Sequence, residues 1–278
     1  DWAGPAIPSD LTGNTITGCT QRGLLALGPD GTAMIDNTIT DHDGPGLFVG
    51  GANAWGRIAG GLLHDNAGAG AFIDTGARVE ITGASFQANT GPGIDLAPGA
   101  VTPNDATKTA NGDLDWPEGL RFDAIGGKLL GLATPGARVE VYVVESGARL
   151  GNPNNGEGVT PLGTTIADGL GNWSFPDAGT LGGLVACDEQ TNLTATATRL
   201  GPIPYTSEFS PDYDCSDPPL GIDLGGGAVA ACENPATCAI GPAGGTCFDC
   251  TLYDGAFSYA CDATTPCTAC VSKYGRNR

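Results

Sequence analysis

The chain has few basic residues and no long apolar run. Only 12 of its 278 residues are lysine or arginine, against 31 aspartates and glutamates, and the net charge is −19. Nucleic-acid phosphates are bound by basic surfaces, so this composition argues against a nucleic-acid partner. No stretch approaches the roughly 18 apolar residues of a membrane-spanning helix. We therefore expect no membrane-spanning segment.

Aromatic residues are also scarce, at 6% of the chain, whereas glycine (46) and proline (20) are abundant. This balance favours turn-rich β structure over helices, and the apolar fraction of 40% argues against disorder. An acidic surface suits a protein outside the cell, and no signal peptide is recognisable in the sequence. We expect the mature form of an extracellular or cell-surface protein.

A glycine returns every 23 or 24 residues through the first hundred positions, and each one opens a short apolar run. These glycines are Gly23, Gly46, Gly70 and Gly93. Other positions share the period, namely Ile16, Ile39, Leu63 and Phe86; Ile35, Ile58 and Ile81; and Asn14 and Asn37. A fixed period of this length predicts a solenoid, in which each unit buries its apolar face against its neighbours.

The run after each glycine alternates as a strand does. The pairs expected to share the inner face are Leu24/Ala26, Leu47/Val49, Ala71/Ile73 and Ile94/Leu96. The residues between them are Leu25, Phe48, Phe72 and Asp95. The aspartate indicates that this column faces outward. Leu25, Phe48 and Phe72 then predict an apolar contact stripe, for docking of another part of the chain or for contact between subunits.

Over about residues 11–97 the repeat resembles the right-handed parallel β-helix of secreted and surface proteins in bacteria, with their N-x-I-x-x-N-x-G-x-G-I pattern. The resemblance implies an all-β fold that starts with about four coils, each rising roughly 4.8 Å. It implies little about function, because polysaccharide lyases, hydrolases, adhesins and inert stalks share this fold. Since the repeat starts almost at Asp1, we expect either that coils have been lost or that another molecule covers the first coil.

The sequence divides into four predicted segments. These are β-helix coils at 1–100, a polar linker at 101–118, a β-sandwich at 119–215 and a Cys-rich module at 216–278. The phrase VTPND at 101–105 resembles the continuation of similar β-helix proteins, which implies an immunoglobulin-like sandwich after the linker. Alternating runs at 138–144 and 193–198, separated by Gly/Pro/Asn turns, are typical of such a sandwich. Cys187 and Cys215 flank its last strands and predict a disulfide.

Seven cysteines crowd the last segment. They are Cys232, Cys238, Cys247, Cys250, Cys261, Cys267 and Cys270. So small a segment buries little apolar area and needs staples, which predicts disulfides. The two C-x2-C pairs also fit zinc-ribbon spacing, but the interleaved cysteines favour oxidation. Because seven is odd, one thiol stays free, pairs with Cys19 or pairs between chains.

Two groups of polar residues are candidates for chemistry. Asp41 and Asp43 flank His42 and are the runner-up catalytic residues of a β-helix hydrolase, although the Gly-His-Gly and Arg-x-Lys elements of such enzymes are missing. Their other interpretation is as solvated turn residues. His42 and His64 fall at nearly equivalent places on successive coils, which fits either a metal pair or, more simply, surface positions.

The linker concentrates oxygen ligands of the kind that calcium prefers. The candidate calcium ligands are Asn104, Asp105, Asp113 and Asp115. A second, weaker cluster is Asp212, Asp214 and Asp217. We expect no other cofactor.

The preferred hypothesis is a non-enzymatic extracellular structural protein, a surface, appendage or fibre subunit that associates with copies of itself. An uncapped coil end would allow head-to-tail growth. The alternatives are a carbohydrate-active β-helix enzyme and a glycan-binding adhesin.

Overall fold

The structure is a computed structural model that describes residues 10–27, 31–51, 53–104, 109–123, 128–144, 155, 157–176 and 192–214. It also describes the backbone of three short strands further along the chain. Within these ranges the chain is nearly all β, and the one helical element is a 3-10 turn at Asn111–Asp113. No helix in the described part is long and apolar enough to cross a membrane.

The first twelve strands wind into four coils of three strands each. Coil 1 holds β1 (Asp10–Thr12), β2 (Thr15–Thr17) and β3 (Leu24–Leu27), and coil 2 holds β4 (Thr32–Ile35), β5 (Thr38–Thr40) and β6 (Leu47–Gly50). Coil 3 holds β7 (Trp55–Ala59), β8 (Leu62–His64) and β9 (Ala71–Ile73), and coil 4 holds β10 (Arg78–Thr82), β11 (Ser85–Gln87) and β12 (Ile94–Leu96). Strands stack in parallel across coils as three sheets, β1-β4-β7-β10, β2-β5-β8-β11 and β3-β6-β9-β12. The predicted parallel solenoid is confirmed.

The periodic glycines lie one above another. The residue after each glycine donates its N–H to the glycine carbonyl of the next coil, with N–O distances of 2.9 Å from Leu24, Leu47 and Ala71. The column has no room for a side chain. A Cβ on Gly70 would lie 2.6 Å from the ring of Phe86 and 2.8 Å from the carbonyl oxygen of Gly93.

The predicted interior is right in three columns and shifted in a fourth. Ile16, Ile39, Leu63 and Phe86 are in register, as are the inner pairs of the third sheet. The predicted Ile35 column is wrong, because Met34 rather than Ile35 aligns with Ile58 and Ile81. Ile58 lies 11 positions after Leu47, whereas Met34 lies 10 after Leu24. This extra residue turns Ile35 to the outer face, since a one-residue slip exchanges the faces of a strand.

Residues 118–214 contain two antiparallel sheets, which we call the two-sheet unit. One sheet is β13 (Glu118–Asp123), β14 (Lys128–Leu132) and β17 (Asn172–Pro176). The other is β16 (Gly158–Ile166), β15 (Arg138–Val144), β18 (Asn192–Arg199) and β19 (Tyr205–Thr206), with β20 (Tyr213–Asp214) also on β18. Both sheets contribute to one apolar core, which includes Leu129, Val139, Val141, Trp173, Phe175 and Leu193.

The solenoid core continues into the two-sheet unit. Phe209 lies edge-on against Phe86 of coil 4, with ring centroids 5.5 Å apart, and against Tyr142 of β15 at 5.2 Å. All three side chains are almost fully buried and belong to the solenoid's core cluster. The predicted linker at 101–118 therefore joins two parts of one continuous core.

Most of the predicted Cys-rich module lies outside the described residues, as do Cys187 and Cys215. Its described part is the backbone of β21 (Ile222–Asp223), β22 (Val229–Cys232) and β23 (Cys250–Thr251). Cys19 is half-buried and forms no disulfide within the described part of the chain.

Candidate functional site

Three glutamates of the two-sheet unit bind the backbone of coil 4. Glu140 accepts the N–H of Gly83 at 3.0 and 3.1 Å. Glu157 accepts the N–H of Asn89 at 3.0 Å, and its other oxygen accepts the Asn89 side-chain amide. All three glutamates are at most 5% exposed. The third, Glu208, binds the N–H groups of residues 96 and 102 through its two oxygens, each at 2.9 Å.

Two uncharged side chains accept backbone N–H groups on the outer edge of β10. The hydroxyl of Thr206 accepts the N–H of Ile81 at 2.8 Å, and the Oδ1 of Asn111 accepts the N–H of Val79 at 2.7 Å. The side-chain amide of Asn111 then donates to the carbonyl of Thr206. Backbone N–H groups within β10 and β12, and on either side of β11, are thus bound at coil 4, which obstructs pairing of these edges with another chain.

A buried ion-pair group links coil 3, coil 4 and the two-sheet unit. Glu80 on β10 is 4% exposed. It contacts Arg57 of β7 at 3.4 Å and Arg138 of β15 at 2.8 Å. Glu80 thus has two positive partners, and replacing one arginine would leave its buried carboxylate paired with the other. We call the whole contact region between coil 4 and the two-sheet unit the joint.

Burial shifts the titration of several joint residues. Desolvation raises the pKa of Glu140, although the hydrogen bonds from Tyr142 and Gly83 and the charge of Arg138 oppose the shift. Burial, followed by the charge of Glu140, raises the pKa of Tyr142 well above its usual value. Burial also raises the pKa of Asp95, on β12, to about 6.

One of the two histidines, His42, is buried and forms hydrogen bonds with the backbone of the preceding coil. His42, which is 2% exposed, accepts the N–H of Cys19 at its Nδ1 (3.0 Å), so its Nε2 carries the proton and donates to the carbonyl of Ile16 (3.2 Å). Asn89 makes the equivalent pair of bonds two coils further on, to the N–H of Asn66 and the carbonyl of Leu63, and Asn66 makes the donor half of the pair, to the carbonyl of Ile39. The predicted surface position of His42 is therefore wrong.

His64 lies in a different column from His42. It follows the column of Thr40 and Gln87, and its Nδ1 lies 2.6 Å from Asp65. The two histidines therefore do not occupy equivalent positions, and the stacking on which the alternative of a metal pair depended is not present. No three His, Cys, Asp or Glu side chains group as a metal site in the part of the chain that the structure describes.

The runner-up catalytic aspartates occupy a turn. Asp41 has a left-handed φ of 59°, and its Oδ2 accepts the Thr40 hydroxyl at 3.1 Å. The aligned residues of the other coils are also left-handed: Gly18, Asp65 and Ala88. Asp43 is exposed, and its N–H donates to the carbonyl of Cys19. These positions agree with the interpretation as turn residues, since Asp tolerates this backbone region.

The predicted contact stripe is in register but largely covered. Phe48 and Phe72 stack on each other with centroids 5.4 Å apart, and the guanidinium of Arg22 lies 4.2 Å above Phe48. Asp95, at the end of the column, is 8% exposed. Leu25 remains open, with 47% of its surface exposed. Ring stacking along the column therefore leaves one exposed apolar side chain instead of three.

The structure describes three of the four predicted calcium residues. Both ends of the Asn104 amide hold the backbone of Trp116, at 3.0 Å each. Asp113 follows in the 3-10 turn, Asp115 lines a cleft beside Asn104, and Asp105 lies outside the described residues. The calcium prediction therefore stays a prediction.

A neighbouring cleft of about 680 Å³ is lined by one residue from each of the two predicted clusters. Its lining includes Asn104 from the first cluster and Asp212 from the second, together with Trp116, Glu118 and Tyr213. Asp217 lies outside the described residues, and of Asp214 only the backbone is described.

Sequence reasoning missed the joint. All three glutamates stand outside the repeat, and of the three only Glu140 lies within a recognised pattern, the alternating run at 138–144. The sequence did contain one signal for Glu140. A strongly apolar strand such as Arg138–Val144 rarely holds a carboxylate unless that carboxylate has a partner.

The family model described as right handed beta helix region matches residues 9–103. No curated protein matches the chain. Together with the four stacked coils, the match supports a parallel β-helix repeat in this part of the chain.

Proposed function

We propose that the protein is a non-enzymatic structural protein of the cell exterior, in which a rigid β-helix carries a two-sheet unit and associates with further copies. The observation that carries this proposal is the joint. Three buried glutamates, a buried ion-pair group and a shared aromatic core fix the two parts to each other. Such a connection suits a load-bearing spacer, because hinged domains usually meet through small polar interfaces.

The capped coil restricts how copies can associate. Because the joint occupies the outer edges of β10, β11 and β12, another copy cannot add strands there. We infer lateral contacts, for which Leu25 is the exposed large apolar residue in the described part of the solenoid. The two-sheet unit is then the immunoglobulin-like sandwich that the sequence predicts, followed by a disulfide-stapled module.

The enzyme alternative has weaker support. The side chain of Asp41 is hydrogen-bonded within a turn, and Asp43 lies on an exposed corner. The adhesin alternative has one specific observation in its favour, the cleft beside Trp116, where carboxylates and apolar rings line the same depression.

Light scattering after size-exclusion chromatography tests the proposal over a range of concentrations. We expect the mass to exceed that of one chain and to rise with concentration. Leu25→Ser should lower it, whereas Leu170→Ser, at a position that is 84% exposed on the two-sheet unit, should not. A monodisperse monomer at high concentration would refute self-association. Turnover of pectin or alginate that is lost in Asp41→Asn would instead establish the enzyme.

A further inference from the structure

Asp95 lies beneath a turn at the end of the last coil. It is the charged member of the outward column and directly follows Phe72 in register. The turn at 97–100 lies over it. The N–H of Ala100 donates to its carboxylate, and a Cβ on Gly99 would be 3.8 Å from the Phe72 ring. Only 8% of Asp95 is exposed, although its column faces away from the solenoid core.

The buried carboxylate is poorly compensated. Its Oδ1 has no hydrogen-bond partner within the described residues. Two causes act on its pKa, which lies at about 6: burial raises it, and the smaller effect of the Ala100 bond lowers it. Neither cause is a neighbouring positive charge. Ionisation therefore places an unpaired charge beside a phenyl ring, which is unfavourable until the carboxylate reaches water.

The same turn is fastened to the joint at both ends. One oxygen of Glu208 accepts the N–H of Leu96, just before the turn, and the other accepts the N–H of Thr102, just after it. Residues 96–102 contain no titratable side chain. Among the described residues of the adjoining elements, the titratable groups are Glu208 and Asp74, and Asp74 accepts the N–H of Thr75. Asp95 is thus the group whose ionisation acts directly on the turn.

We propose that residues 97–102 form a pH-operated latch on the joint, closed while Asp95 is neutral and loosened when it ionises. An opened turn returns the carboxylate to water and to its ordinary acidity, so opening is insensitive to pH below about 4. The opening equilibrium then rises up to tenfold per pH unit and levels off above about 6 or 7. The total change is at most about 100-fold, because the two states differ by about two pKa units.

Hydrogen–deuterium exchange of the whole chain tests the latch. The amides to follow are those of Gly99, Ala100 and Thr102, and their rates are corrected for the intrinsic effect of pH on exchange. We expect their protection to fall by about 10- to 100-fold between pH 4.5 and 7.5. Amides of β10 and β11, inside the solenoid, serve as an internal reference and should keep their protection.

Two substitutions decide the cause. Asp95→Asn keeps the shape but cannot ionise, so protection of the turn should become independent of pH and exceed that of the wild type at pH 7.5. Asp65→Asn removes an exposed carboxylate from another corner and should leave the wild-type profile unchanged. The latch is overturned by a flat profile in the wild type, which needs no variant, or by an unchanged slope in Asp95→Asn.

Discussion

Glu157 takes the place next to Asn89 that an asparagine of a fifth coil would take. Asn89 offers its N–H and its side-chain amide toward the open side of coil 4, as Asn66 does toward coil 4 from coil 3. A side-chain oxygen accepts these hydrogen bonds in both cases. The Oδ1 of Asn89 accepts those of Asn66, and the carboxylate of Glu157 accepts those of Asn89. The two-sheet unit therefore caps the solenoid by imitating the next rung of its ladder.

Removing the carboxylate of Glu157 should destabilise the joint. Glu157→Ala leaves two buried donors of Asn89 without an acceptor, and we expect a loss of about 2–4 kcal/mol in the free energy of unfolding. Glu157→Gln keeps one acceptor oxygen, but its side-chain NH2 group then faces one of the two Asn89 donors. Its loss in the free energy of unfolding should therefore be about half that of Glu157→Ala. Urea denaturation measures both.

Asp43→Asn is the matched control for Glu157, because it changes an exposed carboxylate of the solenoid. It should stay within about 0.5 kcal/mol of the wild type. A Glu157→Ala protein as stable as this control would show that Asn89 is satisfied in another way.

The second prediction concerns His42 as a substitute asparagine. His42→Asn keeps an acceptor for Cys19 and a donor for Ile16, so we expect a loss below about 1 kcal/mol. His42→Leu keeps the volume but removes both bonds, which should cost about 2–4 kcal/mol. Thermal or urea unfolding of the two variants gives the comparison, and equal losses would argue for packing alone.

The repeat could be predicted from the sequence because equivalent positions of successive coils stack in columns and meet the same surroundings. Gly70 and Phe86 were predictable, since stacking repeats the same steric demand every 23 or 24 residues. The prediction for Ile35 was wrong because a single inserted residue leaves the period almost unchanged but exchanges the two faces of the strand. Glu157 and Glu208 could not be found in this way, because they meet coil 4 through contacts 68 and 112 residues apart in sequence. No local pattern records such contacts.

The third prediction tests the glycine column. Gly70→Ala places a methyl group 2.6 Å from the ring of Phe86, in a backbone conformation that alanine can adopt. We expect a loss of about 1–3 kcal/mol from overpacking. Gly169→Ala is the control, since no atom lies within 4 Å of its added Cβ. Unfolding free energies measured side by side should separate the two, and equal values would mean that the coils can spread to admit the methyl group.

The last prediction follows from the acidity of Asp95. Burial raises its pKa from 3.8 to about 6 in the folded chain. A carboxyl whose pKa is raised by folding binds its proton more tightly when folded. Its unfavourable contribution is therefore absent below about pH 4, grows between about 4 and 6 and is complete above about 7. Asp95→Asn should consequently gain about 1–3 kcal/mol over the wild type at pH 8 and little or nothing at pH 4. Urea unfolding of both proteins across this range isolates the effect, because contributions from other groups cancel in the difference. A difference that stays constant with pH would show that Asp95 keeps its ordinary acidity beneath the turn.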